Sequence, residues 1–187
     1  MPKTLLLPRE ALYPVPVVLV TSLDPATEQA NIITIAWCGI VCSEPPQVSI
    51  SIRPHRHSHG VIAKTKEFVI NIPSASHLIE TDRCGVRSGK DTDKFTLCGF
   101  TKEPASKVKA PLIKECPVNI ECALRSTMRL GVHDLFIGEV VAVHADSSIR
   151  RGDGSIDFAK AAPIVFNQGE YWNLGKKIGF YGCSTKR

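Results

Sequence analysis

Hydrophobic and polar residues alternate along several short stretches of the chain, which is typical of half-buried β-strands. The clearest alternation lies in 47–53, where Val48, Ile50 and Ile52 would share one face of a strand. Residues 140–143 are continuously apolar, which favours a strand that packs on both faces. Runs rich in β-branched and other apolar residues predict further strands at 15–23, 31–38, 67–72, 118–124, 135–145 and 164–166.

Helical patterns are fewer and shorter than the strands. One helix is predicted to begin near Ser58, and a second covers 74–84, where Ser74 or Ser76 could cap it. The polar segment 85–99 is predicted to be an excursion from the core, within which 93–95 could start a helical turn, and 101–111 to be a lysine-rich surface loop. This pattern predicts one mainly β domain over residues 1–187, a β-barrel with helical decorations.

Cationic and imidazole side chains are concentrated at 53–59, just before the first predicted helix. Arg53 and Arg56 would lie beside the free N–H groups and the positive dipole end of that helix, which is what a phosphate group needs. The alternating His55, His57 and His59 also allow a metal site, although the neighbouring arginines would repel a cation. Plain surface charge is the third interpretation. We favour a phosphorylated ligand and predict no metal.

Composition narrows the classes of partner. The 187 residues are 43% hydrophobic and 22% charged, and the net charge of +5 lacks the dense basic tracts of a nucleic-acid binder. We expect a cytoplasmic protein without a membrane partner, because no cationic leader precedes an apolar run and no stretch has membrane-spanning length. The seven cysteines are odd in number and form no Cys-x-x-Cys pair, which predicts reduced thiols used in the core.

No motif in the sequence marks a catalytic side chain. Residues 85–90 invite comparison with a phosphate-binding loop, but Cys84 stands where a glycine is required and Asp91 where Ser or Thr is required, so a flexible loop is favoured. No G-x-G-x-x-G follows a predicted strand. Cys84 and His77 are the nearest candidates for a nucleophile and base, and a structural role for the thiol is favoured.

Several motifs taken together resemble the flavin reductase-like, FMN-binding split-barrel family, and in particular its flavoredoxin-like branch. The resemblance covers about Pro14 to Gly182. It rests on Asn31-x-x-Thr34-x-Ala36-Trp37-x-Gly39, Pro45-Pro46-x-Val48, Arg56-x-Ser58, Glu67-Phe68-Val69-Ile70-Asn71, Ser88-Gly89-Lys90-Asp91-x-Asp93-Lys94-Phe95 and Tyr171-x-x-Leu174-Gly175.

The resemblance implies a homodimer of six-stranded split barrels, with FMN bound noncovalently near the subunit interface. Lys94 would approach the flavin, and the segment 93–95 is suited to covering it from across the interface. The residues that would line the isoalloxazine and ribityl chain are Asn31, Thr34, Ala36 and Trp37. Those that would hold the phosphate are Ser51, Arg53, His57 and Ser58.

A flavin carries its own electron-accepting centre, so the protein needs no catalytic residue of its own. We therefore expect an FMN-dependent oxidoreductase that takes hydride from NADH or NADPH. Its electrons could pass to free flavin for a flavin-dependent monooxygenase, to ferric iron, to a quinone or to a small electron-transfer protein. The alternatives are an FMN-carrying electron-transfer protein that does not oxidise nicotinamide nucleotides directly, and a non-catalytic flavin- or anion-binding module.

Overall fold

Antiparallel strands dominate the computed structural model, which describes residues 1–185. The strands are β1 (Val15–Pro16), β2 (Val18–Asp24), β3 (Gln29–Ile35), β4 (Cys38–Ser43), β5 (Pro46–Ile52), β6 (Glu67–Ile72), β7 (Lys102–Glu103), β8 (Leu112–Ile113), β9 (Val118–Leu130), β10 (His133–Ala145), β11 (Ile164–Asn167) and β12 (Glu170–Asn173). A seven-stranded sheet has the order β3-β2-β6-β9-β10-β5-β4, beside a three-stranded sheet β1-β11-β12 and the pair β7-β8.

The large sheet curls so that its two ends meet. Its first and last strands, β3 and β4, are consecutive in the chain and are joined only by Ala36 and Trp37. The backbone N–H of Ser51 in β5 donates to the Trp37 carbonyl at 2.8 Å, which ties the bend to the far side of the sheet. The predicted β-barrel is therefore confirmed, and the seam of the barrel lies at this bend.

The interior of the barrel is filled by alternate residues of its strands. Val48, Ile50 and Ile52 of β5 are buried on one face, as their alternation predicts. Gly138 of β10 leaves room for the Phe68 ring, because a Cβ at this glycine would lie 2.6 Å from Phe68 Cζ. The remaining buried members of this core are Val18, Val20, Ile33, Ile35, Ile62, Ile70, Cys122 and Phe136.

Four α-helices in the described residues decorate the barrel. They are α1 (His57–Thr65), α2 (Leu78–Val86), α3 (Lys94–Cys98) and α4 (Phe158–Ala161), with 3-10 turns at Ala75–His77 and Ser147–Ile149. The predicted helix near Ser58 is confirmed as α1, and the segment 93–95 opens α3, where the Asp93 carboxylate accepts from the N–H groups of Phe95 and Thr96. None of the helices within residues 1–185 has the length and apolar character needed to cross a bilayer.

Three sequence predictions need correction. The single strand expected at 31–38 is interrupted by the bend at Ala36 and Trp37, so the barrel sheet has seven strands instead of six. β9 continues six residues beyond the predicted end at Leu124, because 126–130 still pair with β10 after a bulge at Arg125. The run 140–143 is not packed on both faces within this chain: Val143 is 53% exposed, and the other three residues are half-buried beside a bulge.

The lysine-rich segment 101–111 is a loop at the surface, but it is fixed firmly to the barrel. The carboxylate of Glu121, which is fully buried on β9, accepts hydrogen bonds from the N–H groups of Ser106, Lys107 and Val108 at 2.6–3.1 Å. It also accepts from the Ser106 hydroxyl and pairs with His144 Nε2. Burial alone would raise the pKa of Glu121, but these donors lower it to about 2.

Candidate functional site

A cleft in two parts opens at the seam of the barrel. The wide compartment, about 400 Å³, lies between the Ala36–Trp37 bend, the end of β5, α2 and the β11-β12 pair. The narrow compartment, about 180 Å³, lies between the start of α1 and the segment that follows α2. Ile33, Arg56 and Gly85 line both compartments, so the two are continuous.

Aromatic side chains form one side of the wide compartment. The ring centroids of Trp37 and Phe166 are 6.1 Å apart, and those of Phe166 and Tyr171 are 5.9 Å apart. The Tyr171 hydroxyl donates to the Asp82 carboxylate at 3.0 Å, and burial together with this contact raises the pKa of Tyr171 to about 12. Neighbouring rings are tilted by 51° and 66°, so the compartment offers separate aromatic faces and edges against which a planar ligand could pack.

The narrow compartment carries a strong positive charge. Arg56, Arg87, Lys90 and Lys94 line it, and no carboxylate is among its described lining residues. The start of α1 faces the same space, with no acidic residue in its first turn and no side-chain cap within the described chain. Free N–H groups, a helix dipole and four cations together define an anion site.

Asn31 provides a further sign that a polar ligand belongs in the narrow compartment. Its Nδ2 donates to Ser58 Oγ at 2.7 Å, while its Oδ1 is buried without a hydrogen-bond partner in the described residues. Gly89 approaches this amide so closely that a Cβ would lie 2.1 Å from Oδ1. A buried polar atom without a partner is costly, and a ligand that donates a hydrogen bond here would relieve that cost.

Lys94 is fixed at the base of the narrow compartment. It is only 3% exposed, and its Nζ donates to the carbonyls of Ile32 at 2.6 Å and Cys84 at 2.8 Å. Burial is the main cause that lowers the pKa of Lys94 to about 8. An ammonium group has three donors, so one remains for an anion.

All nine residues predicted as cofactor ligands line one of the two compartments. The wide compartment holds Thr34, Ala36, Trp37, Ser51 and Arg53, and the narrow one holds Asn31, His57, Ser58 and Lys94. The structure thus divides them differently from the grouping that the resemblance implies: Ser51 and Arg53 lie with the aromatic residues, and Asn31 lies with the helix start.

Several residues that line the compartments were not among the nine predicted cofactor ligands. Arg56 belongs to a motif recognised in the sequence, and Arg87, Ser88 and Lys90 lie in the segment whose phosphate-loop pattern fails. That segment was predicted to be a flexible loop, yet it forms one wall of the narrow compartment. Tyr171 belongs to another of the recognised motifs, whereas His133 and Phe166 come from distant strands and no local pattern marks them.

Three other sequence hypotheses are not supported. His77 packs on Phe100 with centroids 5.7 Å apart, whereas the Cys84 sulfur contacts Cys98, so no thiol–imidazole pair forms. Segment 93–95 is not poised to cover a ligand across an interface, because Lys94 and Phe95 are both buried in their own chain. Within residues 1–185 no cluster of three or more His, Cys, Asp or Glu side chains could hold a metal, and His59 pairs with Asp134 at 2.8 Å.

The curled sheet with its open seam and helical decorations is a split barrel, and the two-part cleft lies at that seam. Residues 10–175 match the model of the flavin reductase like domain family, and the chain belongs to that family. The structure is similar to the flavoredoxin of Desulfovibrio vulgaris (Miyazaki F), with a TM-score of 0.92 and 34% identity over 98% of this chain and 100% of that one. It is also similar to the flavoredoxin from Methanosarcina acetivorans, with a TM-score of 0.90 and 26% identity over the whole of both chains.

Sequence comparison gives the same family. An uncharacterized protein of Pyrococcus abyssi is 33% identical over 84% of this chain and 90% of its own length. The resemblance to the flavin reductase-like split-barrel family and its flavoredoxin-like branch is therefore confirmed. Membership of this family supports a flavin-related oxidoreductase activity.

Proposed function

We propose that this chain is an FMN-dependent oxidoreductase that accepts hydride from NADH or NADPH and passes the electrons to an acceptor. The observation that carries the proposal is the continuity between an aromatic compartment and a cation-lined one. FMN has the matching shape and charge, since a flat apolar ring system and a dianionic phosphate lie at opposite ends of one molecule. The flavoredoxin similarity supports the same cofactor class.

The residues present fit the phosphate end of FMN. His57 and Ser58 begin α1 and line the narrow compartment, and no side chain of the described residues caps this helix start. Arg56 and Lys90 line the same space and supply charge-assisted hydrogen bonds. Asn31, whose Oδ1 has no partner in the described chain, is placed to accept from a hydroxyl of the ribityl chain.

The residues of the wide compartment fit the ring end. Thr34 and Ala36 supply the strand edge, and Trp37 supplies an aromatic face beside them. Thr34 is held in place because its hydroxyl donates to the Thr81 carbonyl. Arg53 places a cation at this compartment, where negative charge on a reduced ring system would be stabilised.

A bound flavin supplies the hydride-accepting centre, so the protein's task is to bind, orient and shield it. Trp37, Phe166 and Tyr171 exclude water from one side of the compartment. Tyr171 remains a neutral donor at neutral pH, because its pKa is raised and its proton is held by Asp82. No proton transfer to or from a side chain is needed for hydride uptake.

Anaerobic titration of the FMN-loaded protein with NADH and NADPH tests the proposal. We expect rapid bleaching of the flavin absorbance by at least one of the two nucleotides. Bleaching only by a reduced protein donor would replace the proposal with an electron-transfer protein that carries FMN. A protein that cannot be loaded with FMN would be a binding module of another kind.

We further propose that the working unit is a homodimer. The family resemblance implies it, and apolar side chains that the chain leaves exposed support it. Ile40 on the edge strand β4 is 84% exposed, and Met128, Leu130 and Val132 project from the end of the β9-β10 hairpin. A surface of this kind favours burial against a second copy.

A further inference from the structure

Two cysteines lie in contact behind the narrow compartment. Cys84 is in the last turn of α2, and Cys98 is the last residue of α3. Their sulfur atoms are 3.6 Å apart, although the residues are 14 positions apart in the chain. A disulfide has an S–S length of about 2.05 Å, so the sulfurs would need to approach by roughly 1.5 Å.

The segment between the two cysteines forms one wall of the narrow compartment. Arg87, Ser88 and Lys90 line the narrow compartment. Gly85 lies against Thr34, since a Cβ there would be 3.3 Å from the Thr34 Cβ. Lys94 Nζ donates to the Cys84 carbonyl at 2.8 Å, which links the start of α3 to the end of α2. A crosslink between Cys84 and Cys98 would therefore close this wall into a covalent loop.

We propose that Cys84 and Cys98 form an oxidation-sensitive dithiol whose disulfide fastens the wall of the narrow compartment. Two S–H bonds break and one S–S bond forms, and the two electrons and two protons that are released reduce one hydroperoxide. With hydrogen peroxide the O–O bond breaks and two waters result. A low-molecular-weight disulfide can serve instead, in which case two thiols leave.

Cys98 is the sulfur that an oxidant meets first, because it is half-buried whereas Cys84 has no exposed surface. The pKa of the Cys98 thiol is raised overall, because burial and the nearby Glu80 outweigh the hydrogen bond with Cys84 and the cations Arg83 and Lys94, which lower it. The thiolate is the reactive form, so crosslinking should accelerate as the pH rises. The source of the oxidant rests on the proposed function, because reduced flavin that reacts with oxygen would generate peroxide at the site itself.

Peptide mapping of the full-length protein tests the pair directly. After treatment with hydrogen peroxide or oxidised glutathione, trypsin digestion without reductant should yield peptide 84–87 linked to peptide 95–102. Cys98→Ser should abolish this species. Cys183→Ser, which alters an exposed cysteine, should leave it unchanged. Because the oxidant is added from outside, the result does not depend on FMN binding or on flavin as a source of peroxide.

Native limited proteolysis tests the effect on the wall. We expect trypsin cleavage after Arg87 and Lys90 to slow by roughly tenfold or more in the oxidised parent, because the crosslink removes open states of the segment. Cys98→Ser treated in the same way should be cleaved at the rate of the reduced parent.

Three results would overturn the proposal. One is a disulfide from Cys84 to Cys116, the third thiol of the same cluster, seen as peptide 84–87 linked to 115–125. Another is oxidation of Cys183 while Cys84 and Cys98 stay free at raised pH. The last is the expected crosslink with no change in cleavage after Arg87 and Lys90.

Discussion

At the scale of single residues, two arginines that are three positions apart have different places in the cleft. Arg53 lines only the wide compartment, and its Nε lies 3.4 Å from His133 Nε2. Arg56 immediately precedes α1 and lines both compartments. The resemblance assigns Arg53 to the phosphate, whereas the geometry favours Arg56 for that role.

Ligand pairs that differ only in the phosphate separate these two roles. Arg56→Ala should weaken FMN binding by about 1.5–3 kcal/mol, the usual value of a hydrogen bond to a charged group, and should hardly affect riboflavin. Arg53→Ala should change the affinity for FMN and riboflavin by similar amounts. Both affinities can be measured by fluorescence titration.

The opposite pattern of affinities would assign the phosphate contact to Arg53. If Arg53→Ala weakened FMN alone and Arg56→Ala weakened both ligands equally, the division of the cleft proposed above would be wrong.

At the scale of elements, Glu121 shows how a single buried carboxylate fixes a whole loop. In the sequence of β9, apolar residues at 118, 120, 122 and 124 alternate with a second set, on the opposite face, that includes Glu121. The structure buries that face beneath 104–111, whose backbone N–H groups turn inward to the carboxylate. Ala110 and Leu112 then pack on Val69 at the end of the same loop.

Glu121→Gln should destabilise the fold by about 2–4 kcal/mol at neutral pH, since buried donors would lose a charged acceptor. The carboxylate has a pKa of about 2 when folded, against its ordinary 4.5. Its stabilising contribution is therefore complete above about pH 4.5 and is lost as the pH falls toward 2. The difference between the two proteins in urea-unfolding free energy should narrow over that range.

A matched control is Glu67→Gln. The Glu67 carboxylate accepts one hydrogen bond, from the Lys109 N–H at 2.7 Å, at the exposed end of the same loop. Loss of this hydrogen bond should lower the free energy of unfolding by about 0.5–1 kcal/mol. Equal losses for the two variants would show that the loop does not depend on the buried carboxylate.

Alternation predicted most of the strands, because it reflects contacts that are local in the chain. The cap expected at Ser74 or Ser76 was wrong: no side-chain cap hydrogen bond forms there, and α2 begins only at Leu78. Val48, Ile50 and Ile52 occupy the core face as expected, and α1 and α3 begin within a residue or two of their predicted starts. The break at Ala36–Trp37 was not predictable, since β-branched residues and a tryptophan suit an unbroken strand. It follows from closing the barrel, which is a property of the whole sheet.

The site was predictable only in part, for a similar reason. Residues near the start of α1 carry a local signal, namely cations before a helix. Phe166 and Tyr171 reach the cleft because β11 pairs with β1 and β12 pairs with β11. The motif at Tyr171 contributed to the family resemblance, but no local pattern marks Phe166. The pairing of Cys84 with Cys98 likewise depends on how α2 and α3 pack.

At the scale of the whole molecule, the proposed dimer and the proposed cofactor should stabilise each other. If FMN contacts both chains, its binding free energy adds to the stability of the dimer by mass action. The melting temperature should then rise with FMN concentration and with protein concentration. Sedimentation of the apo and FMN-loaded protein at micromolar concentration measures the assembly directly.

Replacing Ile40 with Glu gives a matched test, because this side chain is exposed on the edge strand and lines neither compartment. The variant should shift the protein toward monomer if β4 lies in the interface. A parent that is monomeric in both states and still reduces flavin at its full rate would contradict the dimer.

The bend at Ala36 and Trp37 also affects how the protein folds. Every other strand of the large sheet lies between β3 and β4 in the pairing order, so closing the seam requires pairing that runs through the whole sheet. Non-local pairing of this kind is slow to form. The wide compartment is made by this seam, so a ligand held there would oppose its opening. The indole of Trp37, half exposed at the same place, would report that opening by its fluorescence.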